Sequence, residues 1–149
     1  QSMKIIQAGR NDIVELYHLQ LLSFESEAEM IGSREVPALQ ETQEQFTQDF
    51  KHWITLKMVN DDGTIVGAVR YRAAVVEVGR LMVHPRYRNR GLARQLLSAV
   101  DEACPAETKE LYTCTKSWIN IRLYEKMGYK RFKEHREDNG LSFVYMRKG

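Results

Sequence analysis

AAVVEVGRLMVHPRYRNRGLARQLLSAV, residues 73–100, reads as a strand, a short basic turn and a helix. Residues 75–83 are a nearly unbroken apolar run rich in β-branched side chains, the pattern of a strand buried on both faces. His84-Pro85 ends it, because proline has no N–H to give to a ladder. From Gly91 the apolar positions Leu92, Ala93, Leu96, Leu97 and Val100 recur at three- and four-residue steps, which is a helix with one packed face. Between strand and helix, Arg86, Arg88, Arg90 and Gly91 stand at a helix N-terminus. The first N–H groups of a helix have no internal partner and carry the positive end of the dipole, so an anion can bind there. A diphosphate fits this turn better than a single carboxylate does; the bland alternative is a solvated basic loop that caps a helix.

Upstream, the chain alternates through Ile54, Leu56 and Met58, turns at Asp61-Asp62-Gly63 and returns through residues 65–71, a β-hairpin signal. The strand from Val75 pairs on next, completing a meander of three antiparallel strands. Downstream of Pro105, residues 111–114 form a strand reached by a crossover through the preceding helix, and therefore parallel to the strand that ends at Val83. This is the single parallel pairing in an otherwise antiparallel sheet. Ile119, Leu123 and Met127 mark a further helix ended by Gly128. Residues 129–134 and 141–146, joined through Asp138-Asn139-Gly140, make a last hairpin.

At the other end, residues 4–8 form a short strand, and Asn11-Asp12 offers N-cap chemistry to a helix carrying Ile13, Leu16, Tyr17, Leu21 and Phe24 on one side. Over residues 25–37 the periodicity fails and Gly32 and Pro37 punctuate the chain, which reads as a loop or a loose helix end. Glu25, Glu27 and Glu29 cluster there, either to attract a cationic substrate or as a plain solvated face. Phe46, Phe50 and Trp53 define a second amphipathic helix. The whole is a mixed α+β pattern and one domain, residues 1–149.

Charged residues make up 28% and hydrophobic ones 43%, and the formal net charge is only +2, so a nucleic-acid-binding module, usually more basic, is disfavoured. No apolar run approaches the roughly 18 residues of a membrane span and no signal-peptide pattern opens the chain; a cytoplasmic protein without membrane association is expected. Gln1-Ser2 ahead of Met3 reads as a cloning remnant, with the native start expected at Met3. Cys104 and Cys114 have no CxxC or His partner at ligand spacing, so both are expected as buried thiols and no metal site is expected.

Arg88-x-x-Gly91-x-Ala93 after a Val-His-Pro strand end, followed about thirty residues on by Leu123-Tyr124-Glu125-Lys126-Met127-Gly128-Tyr129, resembles the GNAT superfamily of N-acetyltransferases. The order of elements agrees along nearly the whole chain. The resemblance implies a mostly antiparallel sheet flanked by helices, with acetyl-CoA bound in a notch where the two parallel strands splay apart. Gly79, inside the first of these strands, suits a bulge or a close backbone approach, or is simply tolerated for packing. By similarity the backbone of Leu81, Met82 and Val83 would pair with the pantetheine arm, and an N–H there would polarise the acetyl carbonyl. The amides of Arg88, Asn89, Arg90, Gly91, Leu92, Ala93 and Arg94 would hold the diphosphate. Many members place an asparagine against the cofactor seven residues before the tyrosine of the tail motif; here Ser117 stands at that position and Asn120 follows one turn later.

The reaction implied is acetyl transfer from acetyl-CoA to a primary amine by direct attack in a ternary complex. An alkyl amine with a pKa of about 10.4 is neutral in only about one molecule in a few thousand at pH 7, and only the neutral form attacks a thioester, so a base or a water path is required. Glu77 is the leading candidate, at a place where the histone-acetylating branch also carries a glutamate. Among Val75, Val76 and Val78 its pKa would rise if buried, which suits a base near neutrality; it could equally be a structural partner of Arg70 or Arg72. Tyr124 matches the tyrosine that serves many members as general acid for the leaving thiolate, the alternative being a core tyrosine on an amphipathic helix. No covalent enzyme intermediate or second cofactor is called for. A catalytically silent acyl-CoA-binding or sensing domain is the competing function, and a nucleic-acid binder using Arg86, Arg88, Arg90 and Arg94 a weaker third. Polyamine, aminoglycoside, lysine side chain, small amine and amino acid all stand as acceptors. A homodimer through an edge strand near the C-terminus is compatible with the pattern.

Overall fold

The computed structural model describes residues 2–72 and 75–149. Gln1, half of the expected cloning remnant, and Ala73-Ala74, which open the decisive stretch, lie outside the described residues. Strands β1 (Lys4–Gln7), β2 (Ile54–Val59), β3 (Ile65–Arg72), β4 (Val76–Val83), β5 (Lys109–Cys114), β6 (Lys130–Arg136) and β7 (Ser142–Lys148) form one sheet in the order β1-β2-β3-β4-β5-β7-β6. Among the described residues β4 and β5 are the parallel pair and every other pairing is antiparallel, as the crossover argument requires. The helices are α1 (Ile13–Ile31), α2 (Pro37–Gln40), α3 (Gln43–Phe50), α4 (Leu92–Ala103) and α5 (Trp118–Lys126). One sheet face packs Val66, Val69, Val76 and Val78 against Leu92, Leu96, Leu97 and Val100 of α4 and Ile121 and Tyr124 of α5. The other packs Ile65, Ala68 and Met82 against Ile13, Leu16 and Leu19 of α1 and Phe46 of α3.

The middle of β4 is irregular. Ala68 lies opposite Met82, but Arg70 lies opposite Gly79, so Arg80 and Leu81 together face Val69 alone. That extra residue is a β-bulge, and Arg80 adopts φ 46, a left-handed conformation that non-glycine residues seldom take. One added residue reverses the alternation of side chains. Val76 and Val78 before the bulge, and Leu81 and Val83 after it, all pack on the α4 side, while Met82 turns to the α1 side. The apolar run is therefore a one-sided alternation switched by a bulge, not a strand buried on both faces. The bulge falls one residue after Gly79, where a Cβ would meet only ordinary contacts at 3.7 Å.

Three other expectations need correction. The stretch read as a loop continues α1 for seven residues past Phe24, to a cap at Gly32, whose φ is 75 and whose N–H donates to the Ala28 carbonyl at 2.9 Å. Ala28 and Ile31 are buried there, Ile31 against Val36, Cys114, Leu141 and Phe143. Trp53 is not on the second helix, which ends at Phe50 after a capping box between Thr42 and Gln45. On α5 the buried residues are Ile121 and Tyr124, with Ile119 53% exposed, so the sheet-facing stripe is rotated from the one the apolar spacing suggested. Cys104 and Cys114 are buried free thiols, as expected.

Gly67, beside the switch in β3, is where the packing is tightest. A Cβ there would lie 3.0 Å from both Leu96 Cδ1 and the Met82 carbonyl oxygen, whereas one at Gly9 would meet nothing within 4 Å. Gly67→Ala should destabilise the protein by about 1–3 kcal/mol, and Gly9→Ala should stay within about 0.5 kcal/mol of wild type. Urea unfolding of the two variants checks the contrast.

Candidate active site

Among the described residues β4 and β5 pair only at Val76 with Lys109 and Glu77 with Glu110. Beyond Glu77 they part, and the opening becomes a cavity of about 790 Å³ lined by residues of α1, α5, β3, β4, β5 and β7. Glu77, Leu81, Asn120 and Tyr124 line it, so four of the candidate residues meet in one space.

Around Tyr124 the wall is polar and closed. Ser117, fully buried, donates to Glu27 Oε1 at 2.7 Å, Asn120 Nδ2 donates to the same oxygen at 2.8 Å, and the Thr113 hydroxyl reaches it at 3.4 Å. The Asn120 amide also donates to Ser117 Oγ at 2.9 Å. Three donors from β5 and the start of α5 thus hold one carboxylate of α1. Ser117 and Asn120 act as a pair, and Glu27 is held by them at the cavity wall instead of standing on a plain solvated face. Tyr124 is buried beside it, and burial, then the Glu27 charge and Tyr129, push its phenol pKa well above the ordinary range.

Glu77 is 53% exposed on its side chain and pairs with Arg72 at 3.4 Å. It is not the buried carboxylate expected among the valines, and of its two expected arginine partners it has Arg72. Arg70 pairs instead with Asp49, at 3.3 Å. Along the free edge of β4, the Val83 N–H donates to the Ser23 hydroxyl at 3.3 Å. Leu81 reaches the cavity, and Met82 is buried on the opposite sheet face.

The basic turn does not line this cavity. Pro85–Tyr87 is a short 3₁₀ turn held by Arg86 N–H donating to His84 Nδ1. Arg88 donates to the Ser23 carbonyl at 3.1 Å, and burial lowers its pKa. Arg90 lies over the Tyr87 ring at 4.9 Å. Asn89 and Gly91 both take positive φ, 62 and 74, which turns the chain into α4 with no side-chain cap and open space beside the Gly91 Cα. The amides of Leu92, Ala93 and Arg94 are left as a helix N-terminus fit for an anion.

Sequence reasoning missed Arg70, Arg80, Trp53 and Asp49, which all line the cavity. The available signal was Arg80, a lone cation inside an apolar strand run.

A family model described as the acetyltransferase (GNAT) domain matches residues 18–149, and the chain belongs to that family. Among curated proteins, the UPF0157 protein YqkA of Bacillus subtilis (strain 168) is 25% identical over 130 residues, covering 85% of this chain and 37% of that protein. The chain thus spans little more than a third of this relative's length. Among solved structures, a GCN5-related N-acetyltransferase from Rhodopseudomonas palustris has a TM-score of 0.83 at 17% identity, covering 100% of this chain and 96% of that one. The ribosomal-protein-S18-alanine N-acetyltransferase of Escherichia coli has a TM-score of 0.79 at 16% identity, covering 99% and 93%. The PaiA N-acetyltransferase of Thermoplasma acidophilum, solved in complex with coenzyme A, has a TM-score of 0.78 at 18% identity, covering 99% of each chain. At these identities the structural likeness speaks for the fold.

Burial also pushes the Tyr129 phenol above its ordinary range. Where a buried phenol keeps its proton and the unfolded chain would lose it above a pKa of about 10, the unfolded state binds fewer protons, so stability falls as pH rises. Alkaline titration followed by tyrosinate absorbance should leave Tyr124 and Tyr129 un-ionised at about pH 11, releasing their protons only as the protein unfolds. Ionisation of all seven tyrosines before the circular-dichroism transition would contradict this.

Proposed function

We propose that this chain transfers the acetyl group of acetyl-CoA to a primary amine by direct attack in a ternary complex. The observation that carries the reading is Tyr124, a buried phenol kept protonated in a cavity that opens where β4 leaves β5. Acetyl-CoA supplies the thioester. The residues present fit it: the uncapped start of α4 with open space at Gly91 suits a diphosphate, and the unpaired edge of β4 after Glu77 offers backbone donors and acceptors to an amide-bearing arm. As the amine nitrogen bonds to the carbonyl carbon and the carbon–sulfur bond breaks, Tyr124 holds the proton that the departing sulfur takes. Glu77 at the rim, paired to Arg72 and open to water, takes the proton the amine gives up, directly or through one water. Glu27, pinned by Ser117 and Asn120, orients the wall behind Tyr124.

Calorimetric titration tests the cofactor half. Acetyl-CoA should bind, and Gly91→Glu, in a still folded protein, should abolish binding by placing a negative charge where the diphosphate belongs. Thiol release over an amine library tests the chemistry: Tyr124→Phe should lower kcat by about 10²–10⁴-fold, with acetyl-CoA affinity retained. Full activity of Tyr124→Phe would remove the phenol from the mechanism, and binding with no thiol release from any amine would leave an acyl-CoA-binding domain.

A further inference from the structure

One wall of the cavity concentrates positive charge. Arg70 and Arg72 rise from the same face of β3 and both lie on the Trp53 ring, at 4.1 and 4.0 Å from its centroid. Arg80 joins them from the bulge of β4, and all four residues line the cavity. Arg70 and Arg80 are nearly withdrawn from water, their side chains 11% and 15% exposed. Burial, then the neighbouring charge of Arg80, lowers the Arg70 pKa to about 10. Two guanidiniums in mutual repulsion, one of them on a strained left-handed backbone, form an arrangement that an anion would relieve.

The carboxylates nearby do not fill that need. Asp49 Oδ2 meets Arg70 at 3.3 Å and also accepts from the Trp53 indole at 3.1 Å. Glu41 Oε1 meets Arg80 at 3.3 Å and also accepts from Gln20 at 2.8 Å. Each is a single long contact to a terminal guanidinium nitrogen and not the paired fork that arginine makes with a well-placed carboxylate. The Nε of Arg70 and the Nε of Arg80 are both buried with no acceptor among the described residues. A buried N–H of a charged group left unpaired is costly, and Asp49 and Glu41 each engage only one terminal nitrogen of their arginine, so the wall keeps donors in surplus. Along this wall a polycation finds the opposite: its ammonium groups would face guanidiniums, and Asp49, Glu41 and Glu77 are already engaged.

We propose that Arg70 and Arg80, floored by Trp53, form an oxyanion-binding subsite of the acceptor, so that the amine acetylated here also carries a carboxylate, as a small amino acid does. This rests on the acetyl-transfer reading of the same cavity. The carboxylate takes the terminal guanidinium N–H groups that Asp49 and Glu41 leave over, and the amine is held toward Tyr124.

The test compares matched pairs of acceptors with the intact protein at saturating acetyl-CoA. α-, β- and γ-amino acids and aminodicarboxylic acids are each set against the amide of the same molecule, and spermidine and a lysine-containing peptide amide are included. Acids should exceed their amides in kcat/KM by about tenfold or more, the range of a charge-assisted hydrogen bond gained or lost. Arg70→Gln and Arg80→Gln should raise KM for the acid by a similar factor and erase its preference over the amide, with calorimetric acetyl-CoA affinity unchanged. The acid-to-amide ratio of the unaltered protein needs no variant, so a folding defect in Arg80→Gln does not spare the inference. Equal or better turnover of amides, spermidine or the peptide overturns it while acetyl transfer stands, and so does a panel with no turnover in a protein that binds acetyl-CoA. Failure to bind acetyl-CoA at all overturns the acetyl-transfer reading first, and this inference with it.

Discussion

The bulge at Arg80 is the constraint on which the rest of this structure depends. A regular β4 would keep Val76, Val78, Arg80 and Met82 on one side and could go on pairing with β5 past Glu77. With one residue added opposite Val69, the strand bends and its inward face changes parity, and the two parallel strands share only two register positions. Parallel pairing given up over the second half of β4 leaves backbone groups free along an interior edge, and such groups need partners. The cavity and the free edge are the same event seen from two sides. Its cost is a non-glycine residue at φ 46, of the order of 1 kcal/mol or more, maintained by a well-packed surround.

That surround comes from both faces. Leu96, Leu97 and Val100 are completely or almost completely buried under β3 and β4, and Leu16 and Phe46 close the other side. Around the cavity itself the packing is polar and cross-linked. Glu27 ties α1 to β5 and α5, Glu41 ties the segment after α2 to Arg80, and Asp49 ties α3 to Arg70 and Trp53. Each of these carboxylates is met by at least two donors, which is how a charge is kept in a partly buried wall without a ruinous desolvation cost. The wall combines a neutral, buried phenol at one place with underpaired guanidiniums at another. A cavity with that division can treat the two ends of a bifunctional small molecule differently.

The expectations that failed did so for reasons local to particular residues. Glu25, Glu27 and Glu29 broke the apolar periodicity and hid the last two turns of α1. Their neighbours Ala28 and Ile31 continue the stripe, and Ile31 is buried only because Val36, Leu141 and Phe143 arrive from distant parts of the chain. Trp53 kept the spacing of a helix, but its surroundings are two arginines of β3, so the indole left the helix stripe for a cation-π contact. On α5 apolar residues occupy more than one face, and the sheet selected Ile121 and Tyr124 over Ile119. Glu77 sits among valines in the chain, yet alternation turns it outward to water and Arg72.

By itself the sequence determined the order and type of the seven strands and the longer helices, the turns at Asp61-Asp62-Gly63 and Asp138-Asn139-Gly140, the crossover that makes β4 and β5 parallel, and the basic turn at the start of α4. These rest on local chemistry: the period of apolar side chains, the missing N–H of proline, the freedom of glycine at positive φ. Only the tertiary structure decided which charged side chains would share a wall. The bulge at Arg80 is a matter of register between two strands, and the meeting of Glu27 with Ser117 and Asn120 spans ninety residues or more. Whether a charge is solvated, paired or left with donors to spare depends on what else the fold brings within a few ångströms, and no spacing along the chain encodes that.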